Sequence, residues 1–319
     1  MNVLVTGGAG FVGSHLVARL VTDGHHVRVL DNLSTGRREN LDRISGDFEF
    51  IKGDLRSPGD LRKAVEGVEV VFHEGALPSV PRSIADPRTC FDVNVTGTLN
   101  LLLAAHRAGA RRIVFASSSS VYGNATVPAT HEELTPCPLS PYAISKLTGE
   151  QLCTTFYQLH GLETVCLRYF NVFGPYQDPD SPYAAVIPKF LWAISAGERP
   201  VVYGDGEQSR GFTYVDDVIQ GNLLAATSPR AAGQIMNLAC DHSVSVNYAL
   251  ETIFEILGSK MDVEYRPARP GDIRFSSADT TRARDLLGFE CSVSFEDGIA
   301  RTVDAFGLIH AETAIAIPA

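Results

Sequence analysis

Over residues 1–172, short apolar runs alternate with longer stretches in which apolar positions recur at helical spacing. The runs Val3 to Thr6, Val27 to Asp31, Phe48 to Gly53, Val68 to Glu74 and Arg112 to Ser117 predict strands, and the stretches 11–24, 58–66 and 88–108 predict helices between them. Strand and helix in strict alternation make crossover units, and repeated crossovers build a parallel sheet with helices on both faces. Ser140-Pro141 starts a further helix over about 141–160, because serine caps the first amide groups and proline fits the first turn. An apolar strand, Glu163 to Tyr169, follows it. The alternation then loosens: residues 174–210 hold many prolines, glycines and tyrosines, and 260–282 is again irregular. The expected fold class is therefore α/β, a doubly wound parallel sheet with a smaller α/β lobe built over the strand ends. The large domain spans 1–172 with return segments near 213–240 and 282–307, the lobe spans 173–212 and 241–281, and a substrate cleft lies between them. No pattern assigns the residues from His310 on.

Composition narrows the function without naming it. A chain of 319 residues with 45% hydrophobic residues can bury a large core and a second small one. A formal net charge of −10 with no lysine or arginine run excludes a nucleic-acid or anionic-membrane surface, so any anionic ligand needs local positive groups. The six cysteines, at 90, 137, 153, 166, 240 and 291, form no C-x-x-C pair and no metal spacing with histidine, which predicts reduced, mostly buried thiols and no metal site. The chain opens directly into an apolar strand and has no apolar run long enough for a membrane span, so a cytoplasmic location is expected.

The first chemical signal is Gly7-Gly8-Ala9-Gly10-Phe11-Val12-Gly13, directly after a strand and opening a helix. Gly7 permits a tight turn, Gly10 lets backbone approach a pyrophosphate, Gly13 lets helix and strand pack closely, and the helix N-terminus supplies donors to the anion. Asp31 ends the next strand, where a carboxylate accepts from both ribose hydroxyls and repels a 2′-phosphate; this predicts a Rossmann-type site for NAD in preference to NADP, with Arg37 and Arg38 as the opposing signal. Asp54-Leu55 ends the third strand and either meets the adenine or serves as a helix N-terminal acid near Pro58.

The second signal is Tyr142 and Lys146, four apart inside a helix and so on one face. An ammonium beside a phenol favours the phenolate and predicts a tyrosine pKa lowered toward the range of a general acid/base. Ser117 to Ser120 end the strand from Arg112, at the edge where open α/β sheets bind ligands.

With these motifs the chain resembles the extended short-chain dehydrogenases, and within them the nucleotide-sugar epimerases. The likeness, running to about residue 305, includes Asp92-Val93-Asn94-Val95-Thr96-Gly97-Thr98, Leu167-Arg168-Tyr169-Phe170-Asn171-Val172-Phe173-Gly174-Pro175, and Gly204-Asp205-Gly206 ahead of Arg210. It implies Tyr142 as base, Lys146 on the nicotinamide ribose and Ser118 on the sugar O4, with Asn94 steadying the cofactor helix. It also implies a cofactor surface of Gly7, Gly10, Phe11, Val12, Gly13, Asp31, Asn32, Ser34, Thr35, Gly36, Asp54, Leu55, Ala76, Asn94, Ser117, Tyr142, Lys146 and Tyr169. The implied reaction is inversion at C4 of a UDP-sugar: Tyr142 takes the 4-hydroxyl proton while hydride leaves for NAD, the keto sugar turns, and hydride returns to the other face. Relatives are commonly dimers built on two long helices per subunit, which here would be 95–108 and 143–159.

For the substrate, the resemblance implies Asn171 at the phosphate or sugar, Val186, Ile187 and Tyr203 around uracil, Arg210 and Arg269 on the diphosphate, and Asp272 on the ribose. Ser79-Val80-Pro81-Arg82-Ser83, Gln177-Asp178-Pro179 and Tyr183 to Pro188 are similar to motifs of bacterial epimerases that accept UDP-N-acetylglucosamine; Ser79 and Ser119 are then expected at the sugar. Ser276 falls where epimerases restricted to unacetylated sugars carry a tyrosine, so UDP-GlcNAc/UDP-GalNAc is favoured and UDP-Glc/UDP-Gal is a second pair. Uronate epimerases commonly have a threonine at the Asn171 position and an arginine nearby, where this chain has Tyr176. A dehydratase wants an acid pair where Ser119 and Ser120 stand. A cofactor-binding regulator without catalysis is the alternative from another class. Two positions depart from the family: Glu74, usually apolar, and Gly211, usually an acid.

Overall fold

A computed structural model of the chain describes residues 1–125, 127–178, 185–240, 243–268 and 275–308. Arg269 and Asp272 lie outside the described residues, and Ser276 is described by its backbone alone. The first half runs β1 (Asn2–Thr6), α1 (Phe11–Thr22), β2 (His26–Asp31), α2 (Glu39–Asp42), β3 (Phe48–Lys52), α3 (Pro58–Ala64), β4 (Val70–His73), α4 (Val80–Ala85), α5 (Pro87–Phe91), α6 (Gly97–Ala108), β5 (Arg112–Ser118), α7 (Pro141–His160) and β6 (Glu163–Tyr169). The second half adds β7 (Val172–Phe173), α8 (Val186–Ser195), β8 (Val201–Tyr203), β9 (Ser209–Arg210), β10 (Thr213–Tyr214), α9 (Val215–Thr227), β11 (Gln234–Leu238), β12 (Val244–Ser245), α10 (Val246–Leu257), β13 (Glu264–Arg266), β14 (Phe275–Ser276), α11 (Thr281–Leu287) and α12 (Phe295–Ala305).

Seven strands form one parallel sheet in the order β11-β6-β5-β4-β1-β2-β3. Successive side chains on a strand point to opposite faces, and both faces here are covered. Val3 and Val5 join the core that includes Leu16 and Leu20 of α1 and Val218 of α9, whereas Leu4 joins the core that includes Leu61 of α3, Leu101 of α6 and Cys153 of α7. The expected doubly wound α/β sheet is thus the observed one. Beyond it lie three short pairings: β10 with β7, β13 with β8, and β9 between β12 and β14. No helix among the described residues is long and apolar enough to cross a membrane.

Two expectations fail. The helix expected over 88–108 is α5 and α6 joined by a π-helical turn, Asp92–Thr96, preceded by the separate short helix α4. The wide turn carries the buried Asn94, whose amide is fully engaged: Oδ1 accepts from Leu77 N at 2.7 Å, and Nδ2 donates to Ser145 Oγ at 3.0 Å and Leu77 O at 3.3 Å. π-turns of this kind cluster at functional sites. The thiols are also not all reduced: Cys240, just after β11, is disulfide-bonded to Cys291, between α11 and α12, across 51 residues of sequence. Cys90, Cys153 and Cys166 are free and buried, and Cys137 is free and exposed.

Candidate active site

The glycine turn joins β1 to α1 because no other residue fits. A Cβ on Gly13 would lie 2.2 Å from the carbonyl oxygen of Gly7, and Gly7 itself has φ 69° against the backbone of Gly75. Gly10 caps α1 with no side chain, so the first-turn amides face the cleft uncovered. Asp31 Oδ2 accepts from Ala9 N at 3.0 Å and its Oδ1 from Leu33 N at 2.8 Å; burial raises its pKa and these two bonds oppose the rise. An uncovered helix N-terminus, a backbone cradle that any Cβ would fill, and a fixed carboxylate at the next strand end fit a dinucleotide.

Ser140 starts α7 by accepting from Ala143 N at 3.2 Å, with Pro141 in the first turn. Lys146 is buried, donates to the Ala116 carbonyl at 2.7 Å, and its Nζ lies 5.9 Å from the Tyr142 ring centroid. Burial lowers the lysine to about 8, with Glu74 opposing. The tyrosine departs from expectation. Burial pushes its phenol up to about 12, a hydrogen bond with Ser118 lowers it, and Cys90 and Glu74 raise it further. Four-residue spacing does bring the pair to one face, but the lysine is bound to a carbonyl and desolvation prevails.

A cleft of about 960 Å³ gathers the glycine turn, the β2 end and the catalytic pair. Gly7, Gly10, Phe11, Val12, Gly13, Asp31, Ser34, Thr35, Gly36, Ala76, Ser79, Ser117, Tyr142, Lys146 and Tyr169 line it as expected from sequence. Among the described side chains, the other expected residues do not line it. Asn32 donates to Asp54 at 2.9 Å and Asp54 pairs with Arg56 at 2.7 Å, the arginine holding the Asp54 carboxyl well below its usual range. Leu55 is core, Asn94 braces from behind, and Ser118 caps the short turn containing Ser119 by accepting from Ser120 N at 3.2 Å. Asn171 donates to Gly211 O at 3.2 Å, Tyr203 and Arg210 sit on β8 and β9, and the Ile187 side chain is 1% exposed in the core, whereas Ala185, just before it, lines the cleft.

Sequence reasoning did not place Glu74, Arg82, Gln177 or Asp178 in the cleft, since only tertiary contact brings them there. Glu74 Oε1 accepts from the Tyr169 hydroxyl at 2.7 Å; burial raises its carboxyl to about 7, while Tyr169 and Lys146 pull it down. Arg37, the residue that argued for NADP, pairs with Asp178 at 2.7 Å. In sequence, Glu74 stood out as polar at an apolar position, and Arg82, Gln177 and Asp178 appeared only as members of the quoted motifs. Among the described residues, positive φ without glycine occurs at Leu33 (60°), Ser79 (103°), Asn171 (37°) and Tyr176 (64°), of which Ser79 lines the cleft.

Fold and site together define an extended short-chain dehydrogenase/reductase. The chain belongs to the NAD dependent epimerase/dehydratase family, whose profile matches residues 3–239. It is 40% identical over 311 residues to the UDP-glucose 4-epimerase of Mycolicibacterium smegmatis, covering 96% of this chain and 98% of that one. Its fold matches UDP-N-acetylglucosamine 4-epimerase from Methanobrevibacter ruminantium M1, solved with UDP-N-acetylmuramic acid, at TM-score 0.91 and 43% identity over 96% and 97% of the two chains. It matches a mutant UDP-glucuronic acid 4-epimerase from Bacillus cereus, solved with UDP-4-deoxy-4-fluoro-glucuronic acid and NAD, at TM-score 0.87 and 32% identity over 96% and 99%.

Proposed function

We propose that this chain is a UDP-sugar 4-epimerase that acts on UDP-GlcNAc and UDP-GalNAc, with UDP-Glc and UDP-Gal as a second pair. The observation that carries the reading is Tyr142 and Lys146 together in the cleft that holds the glycine turn, with Ser118 hydrogen-bonded to Tyr142. NAD, when bound, accepts hydride from C4 and returns it. Everything else falls to the protein. Tyr142 exchanges a proton with the sugar 4-oxygen, Ser118 donates to or accepts from the same pair of oxygens, and the charge of Lys146 favours the deprotonated phenol. In the protein alone the phenol at about 12 is protonated near neutrality, the form that delivers a proton to the 4-oxygen as the hydroxyl is restored. Gly7 to Gly13 and Asp31 hold the dinucleotide, while Asn94 fixes both Leu77 beside the cleft and Ser145 on the catalytic helix.

For substrate choice, the lobe of residues 173–212 and 241–281 is taken to grip the nucleotide through Arg210 and Arg269, with uracil and ribose against the 186–187 segment, Tyr203 and Asp272. β14 pairs Ser276 with Arg210, so a small residue stands beside the proposed diphosphate arginine. The likeness to the Methanobrevibacter enzyme supports an acetamido-tolerant pocket. Two subunits joined through α6 and α7 complete the proposal; Ile144 and Leu159 on α7 are 41% and 73% exposed. The test incubates purified protein, without added cofactor, with UDP-GlcNAc, UDP-glucose or UDP-glucuronate and follows the anomeric protons by NMR. Formation of UDP-GalNAc is expected. Turnover of UDP-glucuronate alone overturns the sugar assignment, and no turnover even after NAD is supplied overturns the epimerase.

A further inference from the structure

Glu74 lines the cleft beside Tyr142 and Lys146, yet it has no task in the proton transfer described above. It directly follows β4, and its position is set by the glycine turn. Its amide donates to Thr6 O at 3.2 Å, and a Cβ on Gly7 would lie 2.9 Å from its carbonyl carbon. The side chain is fastened at one oxygen. Oε1 accepts from the Tyr169 hydroxyl at 2.7 Å; that hydroxyl accepts from Asn222 Nδ2 at 2.7 Å, and the same amide group of the buried Asn222 donates to Val218 O at 2.9 Å. Oε2 takes no hydrogen bond from any described residue and is open to the cleft.

The groups that face Glu74 are Lys146 and Tyr142 of α7, Tyr169 of β6 and Asn222 of α9. Lys146 is the cation among them, and its ammonium is already bound to the Ala116 carbonyl. The cradle of Gly7 to Gly13 and Asp31 fits the pyrophosphate and one ribose of NAD, which leaves the nicotinamide to reach the catalytic residues. Proton and hydride leave the same C4–O4 unit of the sugar, so the ring that takes hydride works next to Tyr142, the proton acceptor. When C4 gives up hydride and the O4 proton passes to Tyr142, the positive charge of the ring is cancelled; when hydride is given back, that charge returns. A carboxylate in the adjoining wall therefore distinguishes the two states of the cofactor by their charge.

Resting on the epimerase reading above, we propose that Glu74 sets the redox balance of the bound cofactor: its carboxylate stabilises NAD⁺ against NADH, so that a keto sugar formed in the cleft is reduced back before it leaves. Lys146 carries the opposite charge, and Glu74 offsets it. The bond from Tyr169 keeps the carboxylate turned so that Oε2 faces the cleft, and Asn222 keeps Tyr169 in place.

The test is a redox titration of the NAD-loaded protein with mediator dyes, read by the absorbance of the reduced nicotinamide, for wild type, Glu74→Gln, Glu74→Leu and Glu74→Asp. The buffer is mildly alkaline, so that a carboxyl raised to about 7 is ionised. At one fixed poise, the ratio of bound NADH to bound NAD⁺ is expected to rise about tenfold in Glu74→Gln and Glu74→Leu, a shift of about 30 mV for a two-electron couple, and to stay near wild type in Glu74→Asp. Equal ratios in all four proteins overturn the proposal and leave Glu74 as the residue that holds Tyr169. A rise in Glu74→Asp as large as in Glu74→Gln traces the shift to the shape of the wall and overturns it too. Both of these results leave the epimerase standing, since conversion of UDP-GlcNAc judges it separately; protein that takes up no NAD sinks both readings together.

Discussion

At the scale of single residues, the cleft is governed by desolvation. Tyr142 is the group whose loss should be most visible: Tyr142→Phe should lower kcat by about 10²–10⁴-fold while the purified protein still releases NAD on denaturation, because only the proton-transfer oxygen is gone. Equal loss of bound NAD would mean that the phenol holds the dinucleotide and is not the acid/base. Glu74 yields a prediction of opposite kind. Its carboxyl is raised from 4.5 to about 7, so the contribution it makes to stability is full below about pH 4.5 and is lost as pH rises through 7. Glu74→Gln in cofactor-free protein should therefore match wild type near pH 4 and exceed it at pH 8 by up to about 3 kcal/mol, read by urea unfolding across pH. A gap independent of pH would remove the buried carboxylate as its cause. Gly7, Gly13, Asp31, Tyr142 and Lys146 were legible in sequence because their chemistry depends on short spacings. Glu74 and Arg82 were legible only as residue types, since what surrounds a side chain from other elements decides its charge and its partners.

At the scale of elements, the strands of the sheet were readable because both-sided burial writes itself as apolar runs, and α7 because Ser140-Pro141 marks its start. The segment 88–108 was not, because a π-turn keeps the helical hydrophobic period while adding one residue to a single turn. Its reason is Asn94, which ties Leu77 to Ser145. Asn94→Ala leaves the buried Leu77 amide without the acceptor Asn94 provides and should cost about 1–3 kcal/mol in urea unfolding, with faster loss of NAD on dialysis. Unaltered NAD retention would confine Asn94 to a structural part. The short elements β7 to β10 escaped sequence reading for another reason: strands of two or three residues carry no period at all.

At the scale of the whole molecule, the pairing of Cys240 with Cys291 was invisible in sequence because it depends on β11 and the α11–α12 connection meeting in space. Closing a loop of 51 residues limits the unfolded chain, and reduction, or Cys291→Ser, should lower stability by about 2–4 kcal/mol in denaturant titrations run with and without dithiothreitol. Identical midpoints would mean that the bond constrains nothing. The strand order has a different consequence, for synthesis. β1 lies inside the sheet and strands are added outward on both sides of it, but β6 is completed at Tyr169 while its neighbour β11 begins only at Gln234. At ~5–20 residues per second on the ribosome, the apolar edge of Val165, Cys166 and Leu167 stands unpaired for roughly 3–13 s of translation. The nascent chain is thus most adhesive in the interval before residue 238 emerges, and a messenger that stalls there would deliver to the cell's chaperones a nearly finished sheet with one open side.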